Sequence, residues 1–591
     1  MLVNKHHLFQ CENSYSIKMK NRSLFFIVLV VCARLVNTSC PSTCSCSNST
    51  YGFEVYCYSK SFERIPDLPN DTYSLNFGQN RIRDIDVKFC EKMPLLQTIY
   101  IYNNLIEKIP NETFSDCHQL IRLDLSGNAI EYMHPEAFCN LTSLEILDLG
   151  SNKIHTIDEN TFRHLPNLRY LLMENNNISS INSISFQEMP NLYYLYLQNN
   201  RITDIPRDTF YNLSQLYRLH LYNNKIQSIE SNTFINLTSL YYLYLYHNEI
   251  STIRQPAFTN LPNLQYLQLS NNKIQSIESN TFVNLTSLFE LSLYSNEIST
   301  IQQSAFMNLP RLYYLYLYNN KIQSIESNTF VNMTNLYYLH LYSNEISAIK
   351  QSAFMNLPNL RYLHLHNNKI QAIESNTFVN MTHLYQLYLY SNDISTIKPF
   401  AFVNLPSLQY LYLYNNNLTS IVENTFVNLS SLYYLHLSGN NISLIEENAL
   451  GNLSQLSTLN LASNPINCDC SVIPFWSWII ERAFLGTSAK CSDGKFVLSV
   501  RSAELDKCNP DNCQCFNGGK CITSNDGKVV CDCIGQWTGE LCLESQCMTY
   551  DCGLGNCFVE PMNGTAQCVC DNNQQTYCPR KLFNLGDKVI K

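Results

Sequence analysis

Hydrophobic positions in this chain recur with a long period: the pattern Leu-x-x-Leu-x-Leu-x-x-Asn-x-Ile returns every 24 residues, as in Leu240-Tyr241-Tyr242-Leu243-Tyr244-Leu245-Tyr246-His247-Asn248-Glu249-Ile250. The Asn marks it best, running Asn80, Asn104, Asn128 and onward to Asn464 in seventeen copies with no insertion. Alternation of Leu243 and Leu245 predicts a short strand buried on one face. An Ile usually follows five residues after the Asn, a Phe ten after it (Phe114, Phe138, Phe162 and onward to Phe426), and usually a Leu or Met thirteen after it. One coil cannot bury that set alone. Stacking coils at the ~4.8 Å strand spacing joins the columns into one core, with each coil stabilised by its neighbours. The Asn amide both donates and accepts, so it can satisfy backbone groups where the chain leaves the strand.

Over residues 74–466 these repeats resemble the typical 24-residue class of extracellular leucine-rich repeats. The resemblance implies an α/β-type leucine-rich-repeat solenoid, with mostly parallel β on a concave face and an irregular convex side. A solenoid exposes core at its ends and needs caps. Cys40, Cys44, Cys46 and Cys57 (region 40–73) look like the family's N-terminal cap; Cys468, Cys470, Cys491 and Cys508, with Val472, Phe475 and Trp478 (region 467–508), look like its C-terminal cap. Family pairing implies Cys40–Cys46, Cys44–Cys57, Cys468–Cys491 and Cys470–Cys508. Residues 513–542, with Cys515-Phe516-Asn517-Gly518-Gly519-Lys520-Cys521 and Trp537-Thr538-Gly539-Glu540-Leu541-Cys542, are similar to an EGF module, a small disulfide-rich β unit. That likeness implies Cys513–Cys521, Cys515–Cys531 and Cys533–Cys542. Cys513 lies closer to Cys515 than the family norm, so Cys508 and Cys513 can exchange roles. Residues 547–578 are EGF-like by cysteine spacing alone, implying Cys547–Cys557, Cys552–Cys568 and Cys570–Cys578, with a tail at 579–591. The combination resembles Slit-like guidance proteins and vasorin-like ectodomains.

Cysteine usage changes the picture further: 25 cysteines clustered toward the ends of the array imply an oxidising compartment. Within the leader 1–39, Lys18, Lys20 and Arg22 precede the apolar run 24–33, which reads as a signal peptide too short to span a bilayer. Later stretches resemble neither a membrane span nor a lipid-anchor signal, so a secreted product in the extracellular space or matrix is expected. Sequons at Asn48, Asn70, Asn111, Asn140, Asn177, Asn212, Asn236, Asn284, Asn332, Asn380, Asn417, Asn428, Asn441, Asn452 and Asn563 predict N-glycosylation. A net charge of -9 with pI near 5.8 offers no broad basic field, which argues against nucleic acid.

Three cysteines remain. Cys90 stands in the Phe column and Cys117 in the Leu column, so two of Cys90, Cys117 and Cys139 can bridge neighbouring coils. His340, His364 and His366 fall on adjacent strands, but His alternates with Tyr at these positions elsewhere (His220, His436), so a shared metal is not expected. No Ser-His-Asp set, phosphate loop or His-Glu-x-x-His stands out from the repeat; neither catalysis nor a cofactor is expected. Acidic motifs that mark calcium-binding EGF modules are missing before Cys513 and Cys547. After the ladder Asn, charge alternates: Lys225, Glu249, Lys273, Glu297, Lys321, Glu345, Lys369, Asp393; farther along, Glu230–Arg254, Glu326–Lys350 and Glu374–Lys398 repeat the device.

Outward strand positions are overwhelmingly aromatic: Tyr194, Tyr196, Tyr242, Tyr244, Tyr246, Tyr314, Tyr316, Tyr318, Tyr338, His340, Tyr342, His364, His366, Tyr388, Tyr390, Tyr410, Tyr412 and Tyr414. Sheet propensity and duplication account for part of this. An outward position does not need an aromatic for folding, however, and tyrosine supplies amphipathic contact area at low entropic cost. The expected function is recognition of an extracellular protein or glycoprotein on this surface, as in signalling, guidance or adhesion. The alternatives are a structural matrix protein and a receptor ectodomain anchored by another chain.

Overall fold

Each repeat's Leu pair turns inward, and in the computed structural model the residues around it form a three-residue strand. Tyr314–Tyr316 and Tyr338–His340, for example, pair in parallel with Leu315 opposite Leu339. The structure describes residues 40–505 with short breaks at 86–87, 112, 115 and 452, then Cys508, Cys515 and short segments between 519 and 570. The result is a solenoid of about 17 turns built mostly of parallel strands. Its contacts divide it into two units, one ending at Ile274 but including Thr281–Leu288, the other made of Gln275–Asn280 and the chain from Phe289. In the first, strands from Gly52–Tyr56 to Tyr266–Gln268 pair successively in parallel; in the second, those from Glu290–Ser292 to Thr458–Asn460 do so. Two-residue strands such as Ser324–Ile325 and Ala348–Ile349 form a second set of parallel pairs.

Behind the strands the apolar columns close into core. Leu315, Leu317, Leu339, Leu341 and Ile322 are fully buried, each contributing roughly 1.5–3 kcal/mol. Phe rings stack coil on coil, with centroids 5.7–6.4 Å apart from Phe89 to Phe282 in the first unit and 5.6–6.2 Å apart from Phe306 to Phe426 in the second. The ladder Asn is satisfied on both sides of its amide. Asn344 Nδ2 donates to the carbonyls of Leu317 (2.9 Å) and Leu341 (3.0 Å), and its Oδ1 accepts from the Ile322 N–H at 3.1 Å. One side chain thus ties two successive turns of backbone, Leu317 and Ile322 on the preceding coil and Leu341 on its own.

The residue before each ladder Asn lies in the left-handed region, from Gln79 (φ 54°) through Asn319 (54°) and Ser343 (54°) to Ser463 (57°), with Gly127 and Gly439 at φ 65° and 63°. The chain reverses direction there as it leaves the strand. Asn and Gly tolerate that conformation best, which explains the recurring Asn-Asn and Gly-Asn pairs.

The first coil corrects one expectation. Phe89, not Cys90, fills the Phe column, stacking on Phe114 at 5.8 Å. A helical turn over Phe89–Lys92 brings the ring in one residue early, and the adjacent Cys90 bridges to Cys117 on the next coil. Cys139 is buried, 9% exposed.

At the ends, Ser45–Ser49 and Gly52–Tyr56 form an antiparallel pair that covers the first repeat strand, with bridges Cys40–Cys46 and Cys44–Cys57. At the other end, helix Ile473–Ile480 buries Phe475 and Ile479, and Trp478 Nε1 donates to the Gly451 carbonyl at 3.2 Å. Cys468–Cys491 and Cys470–Cys508 bridge that region, which engages Cys508 and removes it from exchange with Cys513. Beyond lies a disulfide-rich segment with Cys515–Cys531, Cys533–Cys542, a disulfide-bonded Cys521 and the antiparallel pair Lys520–Thr523 with Val529–Asp532. The leader, the tail, Asn452, Asn563 and the bridges expected at Cys513, Cys547, Cys552, Cys557, Cys568, Cys570 and Cys578 lie outside the described residues or side chains. Among the described residues, no helix is long and apolar enough to cross a membrane.

The alternating charges form ion pairs with one polarity. Lys273 reaches Glu249 (2.8 Å), Lys321 reaches Glu297 (3.0 Å) and Lys369 reaches Glu345 (3.0 Å), each Lys pairing with the preceding coil. Glu230 also meets Arg254 at 3.2 Å, whereas Glu326–Lys350 and Glu374–Lys398 are not among the ion pairs of the described residues. Ser324 Oγ donates to Glu326 instead, at 2.7 Å. Exposed pairs of this kind contribute only ~0.2–1 kcal/mol. Lys321→Glu is therefore expected to lower the melting temperature slightly at low ionic strength and less in high salt; an equal shift in both would discard the electrostatic account.

Candidate functional site

In the template Leu-x-x-Leu-x-Leu-x-x-Asn, positions two, three, five and seven point away from the core, so each builds a column across successive strands. In the second unit, position seven is an almost unbroken aromatic stack. Tyr294, Tyr318, Tyr342, His366, Tyr390 and Tyr414 succeed one another at 4.4–4.6 Å, the spacing of the strands themselves. Position five runs Tyr316, His340, His364, Tyr388, Tyr412; His340 and His364 lie face to face at 4.4 Å, and His364 on Tyr388 at 4.3 Å. Position three stacks Tyr314, Tyr338 and Tyr362 at 5.0 and 4.5 Å, with Tyr410 farther along. The structure thus brings the sequence-predicted residues of this unit onto one face and adds Tyr362 and Tyr294.

The stacking corrects the expectation that these rings are dispensable for folding. Stacked aromatic pairs contribute ~0.5–1.5 kcal/mol beyond area burial, so truncation to Ala would cost stability as well as contacts. The fold uses the phenol rim only in part: the Tyr388 hydroxyl donates to Gln386 Oε1 at 3.1 Å, and Tyr318 with Tyr342 and Tyr390 with Tyr414 share hydrogen bonds along their column. Burial pushes the Tyr390 and Tyr412 hydroxyls up to about 12 and raises Tyr316 and Tyr318 further, so they remain neutral donors. Burial also pushes His340 and His366 down to about 4 and His364 to about 3, keeping the imidazoles neutral near pH 7. The buried nitrogens His340 Nε2, His364 Nε2 and His366 Nδ1 meet no hydrogen-bond partner. Face-to-face stacking does not converge these rings on an ion. Among the described residues, the group whose ligand atoms lie within 4.8 Å of one another is Cys515, Cys521 and Cys531, all disulfide-bonded.

The first unit carries a shorter version. Tyr196, His220 and Tyr244 stack at 4.3 and 4.8 Å, Tyr222 and Tyr246 at 4.5 Å, and the Arg218 guanidinium lies over Tyr242 (4.4 Å) and Tyr194 (5.5 Å). Toward its N-terminal coils the aromatics give way to Asp124, Asp148 and Glu174. Burial, reinforced by Asp124 and Glu174, pushes the Asp148 carboxyl up to about 6. This acidic break was visible as an interruption of the tyrosine pattern.

A further column, at position two, escaped the sequence reading. Phe289, Tyr313, Tyr337, Arg361 and Tyr385 line a groove of about 820 Å³ along one edge of the second unit's strands. Its signal was present one position earlier in the same template.

A repeat-built scaffold with stacked surface aromatics is the class that this geometry defines. Comparison with known families agrees. The leucine rich repeat model matches residues 72–130, 122–178, 190–250, 238–298, 288–346, 334–394, 382–442 and 413–466, and a two-copy version matches 166–213. The chain belongs to the leucine-rich-repeat family, whose members are generally non-enzymatic ligand-binding scaffolds. Leucine-rich repeat-containing protein 3 of Danio rerio is 35% identical over 104 residues, 17% of this chain and 39% of that protein. Protein HEG of the same organism is 36% identical over 66 residues, 11% of this chain and 6% of that protein. The chain therefore spans well under half the length of these relatives. A chain from the Drosophila Toll–Spätzle complex, 17% identical with TM-score 0.51 and covering 83% of this chain and 79% of that one, shares the fold.

Proposed function

We propose that this chain is a secreted, N-glycosylated recognition protein that binds an extracellular protein or glycoprotein on the aromatic strand face of its second unit, with Tyr316, Tyr388 and Tyr412 among the contacts. The observation that carries this reading is the set of three adjacent stacked columns whose rims offer protonated phenols on a rigid sheet. Stacking already fixes the rotamers, so little side-chain entropy remains to be lost on binding. Six of the sequons support the same face, whereas Asn177, Asn417 and Asn441 directly follow a ladder Asn at the end of a strand. Asn212, Asn236, Asn284, Asn332, Asn380 and Asn428 each follow a ladder Asn by twelve residues, well away from the strand, and all are exposed. Glycans there leave the strand face open. The bridged ends of the array serve as its caps, residues 513–542 and 547–578 form EGF-like modules, and the leader directs the chain to the secretory pathway, an organisation in keeping with Slit-like or vasorin-like proteins.

The test begins with the full chain, tagged, in a secreting cell: recovery from the medium with a mass shift on glycosidase treatment supports the first half of the reading, and retention in cytosol overturns it. The secreted product is then presented to an array of extracellular domains. Tyr316→Phe, Tyr388→Phe and Tyr412→Phe keep the stack and delete the hydroxyls. With a bound partner in hand, each hydroxyl that contacts it is expected to contribute ~0.5–1.5 kcal/mol of binding, with melting unchanged for Tyr316→Phe and Tyr412→Phe and slightly lowered for Tyr388→Phe, which also loses its bond to Gln386. Unaltered affinity in the triple variant, alongside loss when residues 513–591 are deleted, would move the site to the C-terminal segment.

A further inference from the structure

The edge groove of the second unit differs from the strand face in chemistry. Phe289 and Tyr313 stack at 5.2 Å and Tyr313 and Tyr337 at 4.6 Å, nearly parallel, so their faces are spent on one another. Ring edge and phenol, the electropositive and donor-bearing parts of an aromatic, are what such a stack leaves over, with the Tyr313 and Tyr337 hydroxyls sharing a hydrogen bond. Arg361 continues the stack, its guanidinium 5.8 Å from the Tyr337 ring centre and 4.8 Å from that of Tyr385, with Nη1 donating to the Tyr337 hydroxyl at 3.0 Å. One bond of this kind leaves most of its five donors uncommitted. Arg311 and His383 also line the groove, and no carboxylate does. Among the described residues, neither Arg311 nor Arg361 takes part in an ion pair. A donor-rich, acid-free groove on a chain of net charge -9 is an exception to its surroundings.

We infer that this groove is a second binding site, separate from the strand face, for an acidic peptide segment lying across the repeats. Its lining runs from the coil of Phe289 to that of Ser431, on the order of 29 Å at the sheet spacing, which an extended peptide spans in about nine residues. The planar fork of Arg361, held by stacking on both sides, suits bidentate carboxylate recognition better than a lysine would. Sugar rings and nucleobases bind aromatics by stacking on their faces, and here those faces are covered. An acidic peptide is the occupant that edges, hydroxyls and guanidinium serve together.

The probe is a fluorescein-labelled oligoglutamate of about nine residues, titrated against the secreted full chain by fluorescence polarisation, with an oligolysine of equal length and a heparin oligosaccharide as comparators. Oligoglutamate is expected to bind, and oligolysine not to. Arg361→Gln should weaken binding about ten-fold or more, Arg361→Lys by an intermediate factor because a point charge lacks the fork, and Arg311→Gln measurably. Lys369→Gln removes the same charge elsewhere on the same repeat and should change binding less than about two-fold, as expected of diffuse attraction. Should Arg361→Gln melt early, Arg361→Lys and the exposed Arg311→Gln decide the matter. The inference falls if oligoglutamate does not bind, if both arginine variants bind it like the parent, or if heparin alone binds. The Tyr316, Tyr388 and Tyr412 variants are expected to retain oligoglutamate, so failure of this site and failure of the strand-face reading are told apart.

Discussion

Replacing Asn344 by alanine is expected to lower the stability of the second unit by about 3–5 kcal/mol, although the change removes only a small polar side chain. The loss would come from what is left behind. The Leu317 and Leu341 carbonyls and the Ile322 N–H, all bonded to this amide, would face each other in a site the amide fills while only 7% exposed. Each buried group left unsatisfied costs roughly 1–3 kcal/mol. Asn344→Asp sharpens the test, because a carboxylate can still accept from Ile322 but cannot donate to either carbonyl. At neutral pH it should be at least as damaging as alanine, with partial recovery where the acid protonates. Urea unfolding, together with amide exchange at Ile322, measures both, and a loss under about 1 kcal/mol in Asn344→Ala would remove the amide from its central place in the fold.

Acidification is expected to loosen the second unit around its histidine triad well before general acid unfolding. His340 and His366 are held near 4 and His364 near 3, in each case chiefly by burial, against about 6.5 in an unfolded chain. A histidine whose folded pKa is depressed takes up its proton more readily when unfolded. Stability is thus complete above about 6.5 and is lost as pH falls toward about 4, by on the order of 2 kcal/mol per ring as an upper figure for partly exposed groups. The rings packed on the triad are the phenols Tyr316, Tyr318, Tyr338, Tyr342, Tyr388 and Tyr390, which can give an imidazolium cation–π attraction of about 0.5–2 kcal/mol but no counter-charge. His220, held near 4 in the first unit, acts in the same sense. Asp148 acts in the opposite one: its carboxyl is raised to about 6, so its contribution is present below about 3.8 and lost as pH rises through about 6. Hydrogen exchange between pH 7 and 4, corrected for intrinsic rates, should show falling protection at Leu339 and Leu363 and steady or rising protection at Leu147. His340→Phe with His364→Phe should flatten the first trend. If that double variant keeps the parent's pH profile, the triad is not its source.

Much of this was readable from the chain alone, for an identifiable reason. A solenoid's contacts are nearest-neighbour, so a residue 24 positions away in sequence is next door in space, and the Leu, Ile, Phe and Asn columns could be written down as geometry. The departures occur where the period is locally broken or where two columns compete. Phe89 entered the core one place early because a helical turn replaced the usual loop, and Cys90 was released to bridge Cys117. Lys321 pairs with Glu297 on the preceding coil, a choice of side that alternating signs alone do not make.

The binding surface divides in the same way. That tyrosines share a face follows from strand alternation, and the columns of Tyr314 to Tyr414 follow from the repeat. That the rings stack at 4.4–4.6 Å and thereby support the fold, that Arg361 is clasped between Tyr337 and Tyr385, and that position two opens a groove depend on side-chain rotamers. Sequence by itself determined the period, the inward columns and the bridged cysteines at the two ends of the array, because those are set by hydrophobic pattern and cysteine placement. Tertiary structure decided which outward side chains are spent on one another and which remain available, because that turns on packing between coils, where a rotamer and a few tenths of an ångström separate a stacked ring from an exposed one.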